Sequence, residues 1–123
     1  MNEQETKELG MTAISYMQEW DLNTKQQLFL LNLDIKPRLF PAYSQGKKIL
    51  PDDENILNRA KHIVGIGGAL RGYFPLNYKG GSIWLKNTNK YFPEKSPLMC
   101  MFEDGLPGMF KVWVNLDCTI GWD

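Results

Sequence analysis

Apolar residues recur at helical spacing along most of this chain. Near its start, the spacing of Ile14, Met17 and Trp20 predicts a first helix, and Asn23 can cap a second one. Residues 1–9 are polar and lack this spacing, so the sequence predicts that they are frayed.

A third short helix is predicted within residues 34–46. Pro41 lies inside this segment, and a proline removes a backbone hydrogen bond from any helix that runs through it. The third helix is therefore expected to be broken or to begin late.

The clearest helical pattern follows Pro51, where Asp52 can serve as the N-cap. Its apolar stripe has steps of four and three residues and comprises Ile56, Ala60, Ile63, Gly67, Leu70 and Phe74. The glycines at positions 65, 67, 68 and 72 each cost about 1 kcal/mol relative to alanine in a helix. We interpret them as points where other helices cross closely. A helix broken near Gly67 is the alternative.

The remaining sequence predicts three more helices. Residues 82–86 suggest a short one, and Ser96 followed by Pro97 is typical of a helix start, with Gly105 ending that helix. A last helix is predicted over residues 106–116. Because no convincing alternation of period two occurs, the predicted fold class is all-α.

Composition narrows the possible functions. The 123 residues suit one small globular unit, and 14 Lys and Arg residues balance 14 Asp and Glu residues, so no global charge attracts nucleic acid or an anionic membrane. No stretch approaches the roughly 20 apolar residues of a membrane span, and no secretory leader is evident. A cytoplasmic location is therefore expected.

Candidate chemistry is sparse. His62 is the only histidine, and with Cys100 and Cys118 it cannot complete a four-ligand zinc site. The cysteines are expected to be buried thiols, with a structural disulfide as the alternative. The glycine run at 65–72 lacks the spacing of a phosphate-binding loop. These features predict no enzyme activity, no metal and no cofactor.

A local basic cluster could contact DNA. It comprises Lys36, Arg38, Lys47 and Lys48, next to Tyr43, and no acid occurs between residues 36 and 48. In a helix-turn-helix, the third of three short helices would enter the major groove. Solvated surface lysines explain the cluster equally well. The apolar tail with Ile120 and Trp122 is also ambiguous, since it can pack on the core or project towards a partner.

Taken together, residues 59–122 resemble the toxin-binding domain of the Xre/MbcA/ParS antitoxins. The matching residues, in order, are His62, Ile63, Val64, Gly65, Ile66, Ala69, Leu70, Phe74, Pro75, Trp84, Leu85, Asn89, Phe92, Pro97, Leu98, Met101, Gly105, Val112, Leu116, Asp117, Gly121 and Trp122. The earlier part of the chain, with Trp20, Leu22 and Leu28, is similar to the degenerate Xre-type helix-turn-helix that precedes this domain in many members. The resemblance implies a helix-turn-helix-like region over residues 1–50 and a toxin-binding domain over residues 51–123.

The resemblance also implies a function. Such antitoxins are homodimers that neutralise a RES-domain toxin, an enzyme that consumes NAD or transfers its ADP-ribose, by covering its active site. Carried over to this sequence, the implied toxin contacts are Asn89, Phe92, Leu116, Asp117, Gly121 and Trp122, among which Asn89 and Phe92 are expected to shape the loop that supports the other four. Binding to operator DNA is an implied second activity. The alternatives are a transcriptional regulator without a toxin partner and an interaction domain that has lost both activities.

The sequence departs from the family pattern near the proposed contacts. The glycine usually found between the phenylalanine and the Pro-Leu pair is absent, and residues 93–96 stand there instead. Trp113 replaces a common arginine, and Ile120 replaces a glycine before the closing Gly-Trp pair. The geometry of the tail, and with it the toxin partner, is therefore expected to differ from that of other members.

Overall fold

The computed structural model describes the backbone of residues 1–122 and the side chains of residues 1–77 and 79–117. This part of the chain contains α1 (Glu3–Glu19), α2 (Thr24–Leu31), α3 (Pro41–Ser44), α4 (Glu54–Tyr73), α5 (Tyr78–Lys86), α6 (Pro97–Asp104) and α7 (Leu106–Trp122). No strand occurs within the described residues, so the predicted all-α class is confirmed. None of the helices described there has both the length and the apolar composition needed to cross a bilayer.

The first helix begins at Glu3, so the prediction that residues 1–9 are frayed is wrong. The Oδ1 of Asn2 accepts a hydrogen bond from the N–H of Glu5 at 2.8 Å, and Oε1 of Glu5 accepts one from the N–H of Asn2 at 3.2 Å. This capping box satisfies N–H groups that a helix start otherwise leaves without partners. Local capping therefore compensates for the lack of apolar residues in the first turns.

The second and third predicted helices are both present. Asn23 is the N-cap of α2, as predicted, and forms a second capping box with Gln26. The third helix is broken, as Pro41 predicted: a 3₁₀ turn over Pro37–Leu39 precedes α3, and Pro41 occupies the first turn of α3. A proline is tolerated there because the N–H it lacks would have had no intrahelical partner.

The longest helix, α4, begins one residue later than predicted. Asp53 rather than Asp52 is the N-cap, and its carboxylate accepts a hydrogen bond from the N–H of Ile56 at 3.0 Å. The helix continues without interruption through Gly67 to Tyr73, so the alternative of a break is excluded.

Two of the four glycines of α4 lie against a neighbouring helix. A Cβ atom at Gly67 would overlap the ring of Tyr16 on α1, and one at Gly65 would overlap the ring of Trp113 on α7. At Gly68, in contrast, no atom lies within 4 Å of such a Cβ. The interpretation that glycines mark close crossings is therefore confirmed for Gly65 and Gly67 but wrong for Gly68 and for Gly72, where a Cβ would likewise meet no atom within 4 Å.

These contacts predict opposite effects for two adjacent substitutions. Gly68→Ala is expected to stabilise the fold by up to about 1 kcal/mol because alanine has the higher helix propensity. Gly67→Ala gains the same propensity but displaces the ring of Tyr16, and overpacking costs about 1–3 kcal/mol. We expect a net loss of about 1 kcal/mol, measured by urea denaturation. Equal stabilisation by both substitutions would show that α1 does not cross α4 at Gly67.

Among the C-terminal helices, α6 begins and ends as predicted, whereas α5 and α7 are longer than predicted. Ser96 caps α6 through the N–H of Met99, and Gly105 ends that helix with a φ of 65°, which favours glycine. However, α5 begins at Tyr78, earlier than residue 82, and α7 extends to Trp122, six residues beyond its predicted end.

The helices share one apolar cluster. α4 contacts α1, α2, α5 and α7, and α6 packs against α7. The largest fully buried apolar side chains are Trp20, Phe92, Ile14, Met17, Leu30, Leu31, Ile63, Ile66, Leu85, Met101, Met109 and Leu116. Both the 1–50 region and the 51–123 region contribute to this cluster. A buried hydrogen bond from Ser82 Oγ to the carbonyl of Trp20, 3.1 Å long, also joins them.

Candidate protein-binding site

The loop between α5 and α6 is folded tightly around Asn89. The backbone N–H of Asn89 donates to the carbonyl of Phe92 at 3.0 Å, and the N–H of Phe92 donates back at 3.1 Å. The side-chain Oδ1 of Asn89 accepts further hydrogen bonds from the N–H groups of Tyr91, at 2.8 Å, and Phe92, at 3.1 Å. Asparagine favours such turns because its short side chain reaches its own backbone.

Phe92 anchors this loop to two helices. Its side chain is only 2% exposed, and its ring meets the ring of Trp84 on α5 edge to face at a centroid distance of 6.0 Å. From α7, the ammonium group of Lys111 lies 5.2 Å from the centroid of the Phe92 ring. A cation–π contact of this kind contributes about 0.5–1 kcal/mol at an exposed site. The loop is therefore held in a fixed position beside α7.

A small cavity of about 110 Å³ lies between this loop, the end of α4, α5 and α7. Its wall is formed by Tyr73, Trp84, Asn89, Lys90, Tyr91, Asn115 and Leu116. Lys90 and Tyr91 are exposed, with Tyr91 50% accessible, whereas Leu116 belongs to the core. Three of the seven wall residues are thus aromatic, and one loop and one helix contribute polar groups.

The cavity wall contains a polar atom that has no partner. Nδ2 of Asn89 is buried, and no acceptor reaches it from any described residue. The amide cannot be turned over, because Oδ1 is held by two backbone N–H groups and an NH₂ group in its place would face those donors. A buried donor without an acceptor costs about 1–3 kcal/mol. Nδ2 of Asn89 can therefore donate a hydrogen bond to a group that enters the cavity.

Three of the six implied toxin contacts lie together at this cavity. Asn89 and Leu116 both line it, although they are 27 positions apart in the sequence, and Phe92 packs directly behind the loop. The chain therefore brings into one place residues that only the family resemblance had grouped.

The other three implied contacts follow along α7. Asp117 is exposed and comes directly after Leu116. Gly121 and Trp122 belong to the last turn of α7. The side chain of Trp122 lies outside the described residues, and so do those of residues 118–121.

Sequence reasoning missed several residues of the cavity. Tyr73, Lys90 and Tyr91 were not predicted as contacts, and Trp84 was identified only as part of the resemblance. Tyr73 ends α4 and Tyr91 lies in an irregular loop, so no helical periodicity connects them. The concentration of aromatic residues around Asn89 is the one local signal that could have indicated them.

The predicted DNA contacts lie at the other end of the sequence, in and around the short third helix. Lys36, Arg38, Lys47 and Lys48 are all exposed, whereas Tyr43 is half-buried and its ring lies 6.3 Å from that of Phe40. The helix that would enter the major groove is α3, which has only four residues. The basic side chains are thus accessible, but a recognition helix of ordinary length is absent among the described residues.

His62 and Cys100 occupy packed positions. The ring of His62 is half-buried, hydrogen-bonds through Nδ1 to the carbonyl of Asn58 at 2.7 Å and meets the Trp113 ring at 5.2 Å. Cys100 is a buried free thiol, as predicted, whereas the Cys118 side chain lies outside the described residues. Within the described part of the chain, no three His, Cys, Asp or Glu residues are close enough to hold a metal ion.

A wider cleft of about 640 Å³ lies between α2 and the end of α6. Phe29 is 61% exposed there, and its ring is tilted against that of Phe102 at a centroid distance of 5.9 Å. Arg59 donates a hydrogen bond to the carbonyl of Leu30 at 3.1 Å, and burial lowers the pKa of its guanidinium group. Acidic and basic side chains both line the cleft, so its charge does not favour a particular ligand.

Comparisons with protein-family models, with curated proteins and with solved structures find no match to this chain. The function of this chain is therefore inferred from the geometry of the cavity and from the resemblance of residues 59–122 to the antitoxin domain.

Proposed function

We propose that this chain is an antitoxin of the Xre/MbcA/ParS type. It binds a RES-domain toxin in the cytoplasm, as a homodimer, and prevents turnover by covering the toxin's active site. The contact surface comprises the cavity at Asn89 and the final turns of α7. In this proposal the chain is not an enzyme, and it uses neither a metal nor a cofactor.

The observation that carries the proposal is the position of Asn89, Phe92 and Leu116 at one site. These three residues were grouped by the resemblance alone, and they come from a loop and a helix that are distant in sequence. The cavity beside them has three aromatic residues in its wall, and aromatic residues are enriched where proteins bind one another. α7 continues from this site to the remaining implied contacts, Asp117, Gly121 and Trp122.

Operator binding is the second part of the proposal. Four exposed basic side chains, at positions 36, 38, 47 and 48, form a local patch on a chain with no net charge. Contacts from such a patch to DNA phosphates would make binding strongly dependent on salt concentration. Because α3 has only four residues, we propose that DNA binding is the weaker of the two activities.

Removal of the final residues tests the main proposal. A chain that ends at Leu116 lacks Asp117, Gly121 and Trp122, and we expect it to bind the toxin at least tenfold more weakly than the full chain. The partner tested is the protein encoded beside this chain's gene, which the proposal predicts to be a RES-domain toxin. The measurements are co-purification, affinity by calorimetry, and growth of cells that produce both proteins.

A chain that ends at Trp122 is the matched control, because it retains every implied contact and should bind like the full chain. Thermal melting of both shortened chains checks that the fold is kept. If the full chain neither binds nor silences this toxin, the proposal is wrong. Salt-dependent binding to its own promoter without any such association would favour the alternative of a transcriptional regulator.

A further inference from the structure

The cavity at Asn89 presents a hydrogen-bond donor to any group that enters it. Nδ2 of Asn89 is the one side-chain donor there that is buried, fixed in orientation and without an acceptor in the described residues. A group that enters the cavity and accepts a hydrogen bond would satisfy it. The missing partner is therefore an acceptor, either neutral or negatively charged.

The charge around the cavity favours a negative group. Lys90 lines the wall, and Lys111 lies behind it over the ring of Phe92. Among the described residues, no carboxylate lines the cavity and neither lysine has a carboxylate within 4.0 Å. An incoming carboxylate would thus be attracted, and its hydrogen bond to the amide would be stronger than that of a neutral acceptor.

The size of the cavity limits what can enter. Its volume of about 110 Å³ exceeds the roughly 30 Å³ that one water molecule occupies but is well below the several hundred Å³ of a cofactor pocket. The end of one side chain therefore suits it. Nδ2 is covered in the free chain, and the exposed side chains of Lys90 and Tyr91 are the part of the wall that can turn outward to admit this group.

We infer that the toxin inserts the carboxylate of one aspartate or glutamate side chain into this cavity. There the carboxylate accepts a hydrogen bond from Nδ2 of Asn89 and lies near the ammonium group of Lys90. This inference rests on the proposed function, and it adds the chemistry of the partner's anchoring group. An ordered water molecule that only fills the cavity is the competing occupant.

Replacement of Asn89 by aspartate is the direct test. A carboxylate keeps the two hydrogen bonds from the backbone N–H groups of Tyr91 and Phe92, but it replaces the donor by a negative acceptor. We expect Asn89→Asp to weaken binding of the purified, neighbour-encoded RES-domain protein at least tenfold. The matched control is Asn23→Asp, which makes the same charge change at the exposed N-cap of α2, away from the cavity, and should alter affinity less than twofold.

A second variant keeps the test decisive if Asn89→Asp unfolds the loop. Lys90→Glu reverses an exposed charge without touching the core, and we again expect at least tenfold weaker binding, with Lys25→Glu on α2 as its control. If both Asn89→Asp and Lys90→Glu bound the toxin with wild-type affinity, the inference would be wrong and water would be the occupant of the cavity. The proposed function would remain intact. Failure of the wild-type chain to bind would overturn both proposals.

Discussion

Replacement of Phe92 by alanine is expected to destabilise the fold by about 3–5 kcal/mol, the usual cost of removing a buried phenylalanine ring. The ring is 2% exposed and packs edge to face on Trp84. It also lies beneath Lys111, which would lose its cation–π contact. Because the loop has no regular secondary structure of its own, this ring is its main attachment to the core. The free energy of unfolding from urea titration measures the effect.

The neighbouring Tyr91→Ala substitution is the control for this prediction. Tyr91 belongs to the same loop and is also aromatic, but half of its surface is exposed. We expect a loss of less than about 1 kcal/mol, in line with most surface substitutions. Comparable losses for Phe92→Ala and Tyr91→Ala would mean that the loop is not attached to the core through Phe92.

Gly108→Ala is expected to destabilise the fold by about 2 kcal/mol. A Cβ at this position of α7 would overlap the backbone carbonyl of Cys100 on α6, and it would lie 3.0 Å from Cβ of Asp104. Unlike a side chain, a helix carbonyl cannot turn away, so the two helices must separate. The resulting overpacking costs about 3 kcal/mol, which exceeds the roughly 1 kcal/mol that alanine gains in helix propensity.

Gly72→Ala on α4 is the control for this substitution, because nothing lies within 4 Å of a Cβ placed there. It should leave the fold unchanged or stabilise it, as measured by the same urea titration. If Gly108→Ala were also neutral, α6 and α7 would not be in close contact at Cys100.

Helix ends with local signals could be predicted from the sequence. Asn23 and Ser96 are caps, as their residue types indicated, and Pro41 broke the third helix. The early start of α1 also had a local signal, the capping box of Asn2 and Glu5. This signal was missed because the first residues are polar and were therefore expected to be frayed. Such features involve residues a few positions apart, so the sequence alone contains the needed information.

Features that depend on tertiary contact could not be predicted in the same way. Helical spacing marks one stripe on α4, but this helix packs on α1 and α7 along different sides. The sequence therefore did not distinguish Gly65, which meets Trp113, from Gly68, which meets nothing. The cavity is a further case, since Tyr73, Trp84 and Leu116 approach one another only in the folded chain.

Gly105 alone separates α6 from α7, and so short a connection influences which helices pair first during folding. Closing so small a loop costs little chain entropy, so we expect the α6–α7 pair to form early. The hydrogen bond between Ser82 and Trp20, in contrast, joins residues 62 positions apart. During synthesis α1 thus emerges well before its packing partners, and its apolar face, with Ile14 and Met17, is available to chaperones until they follow.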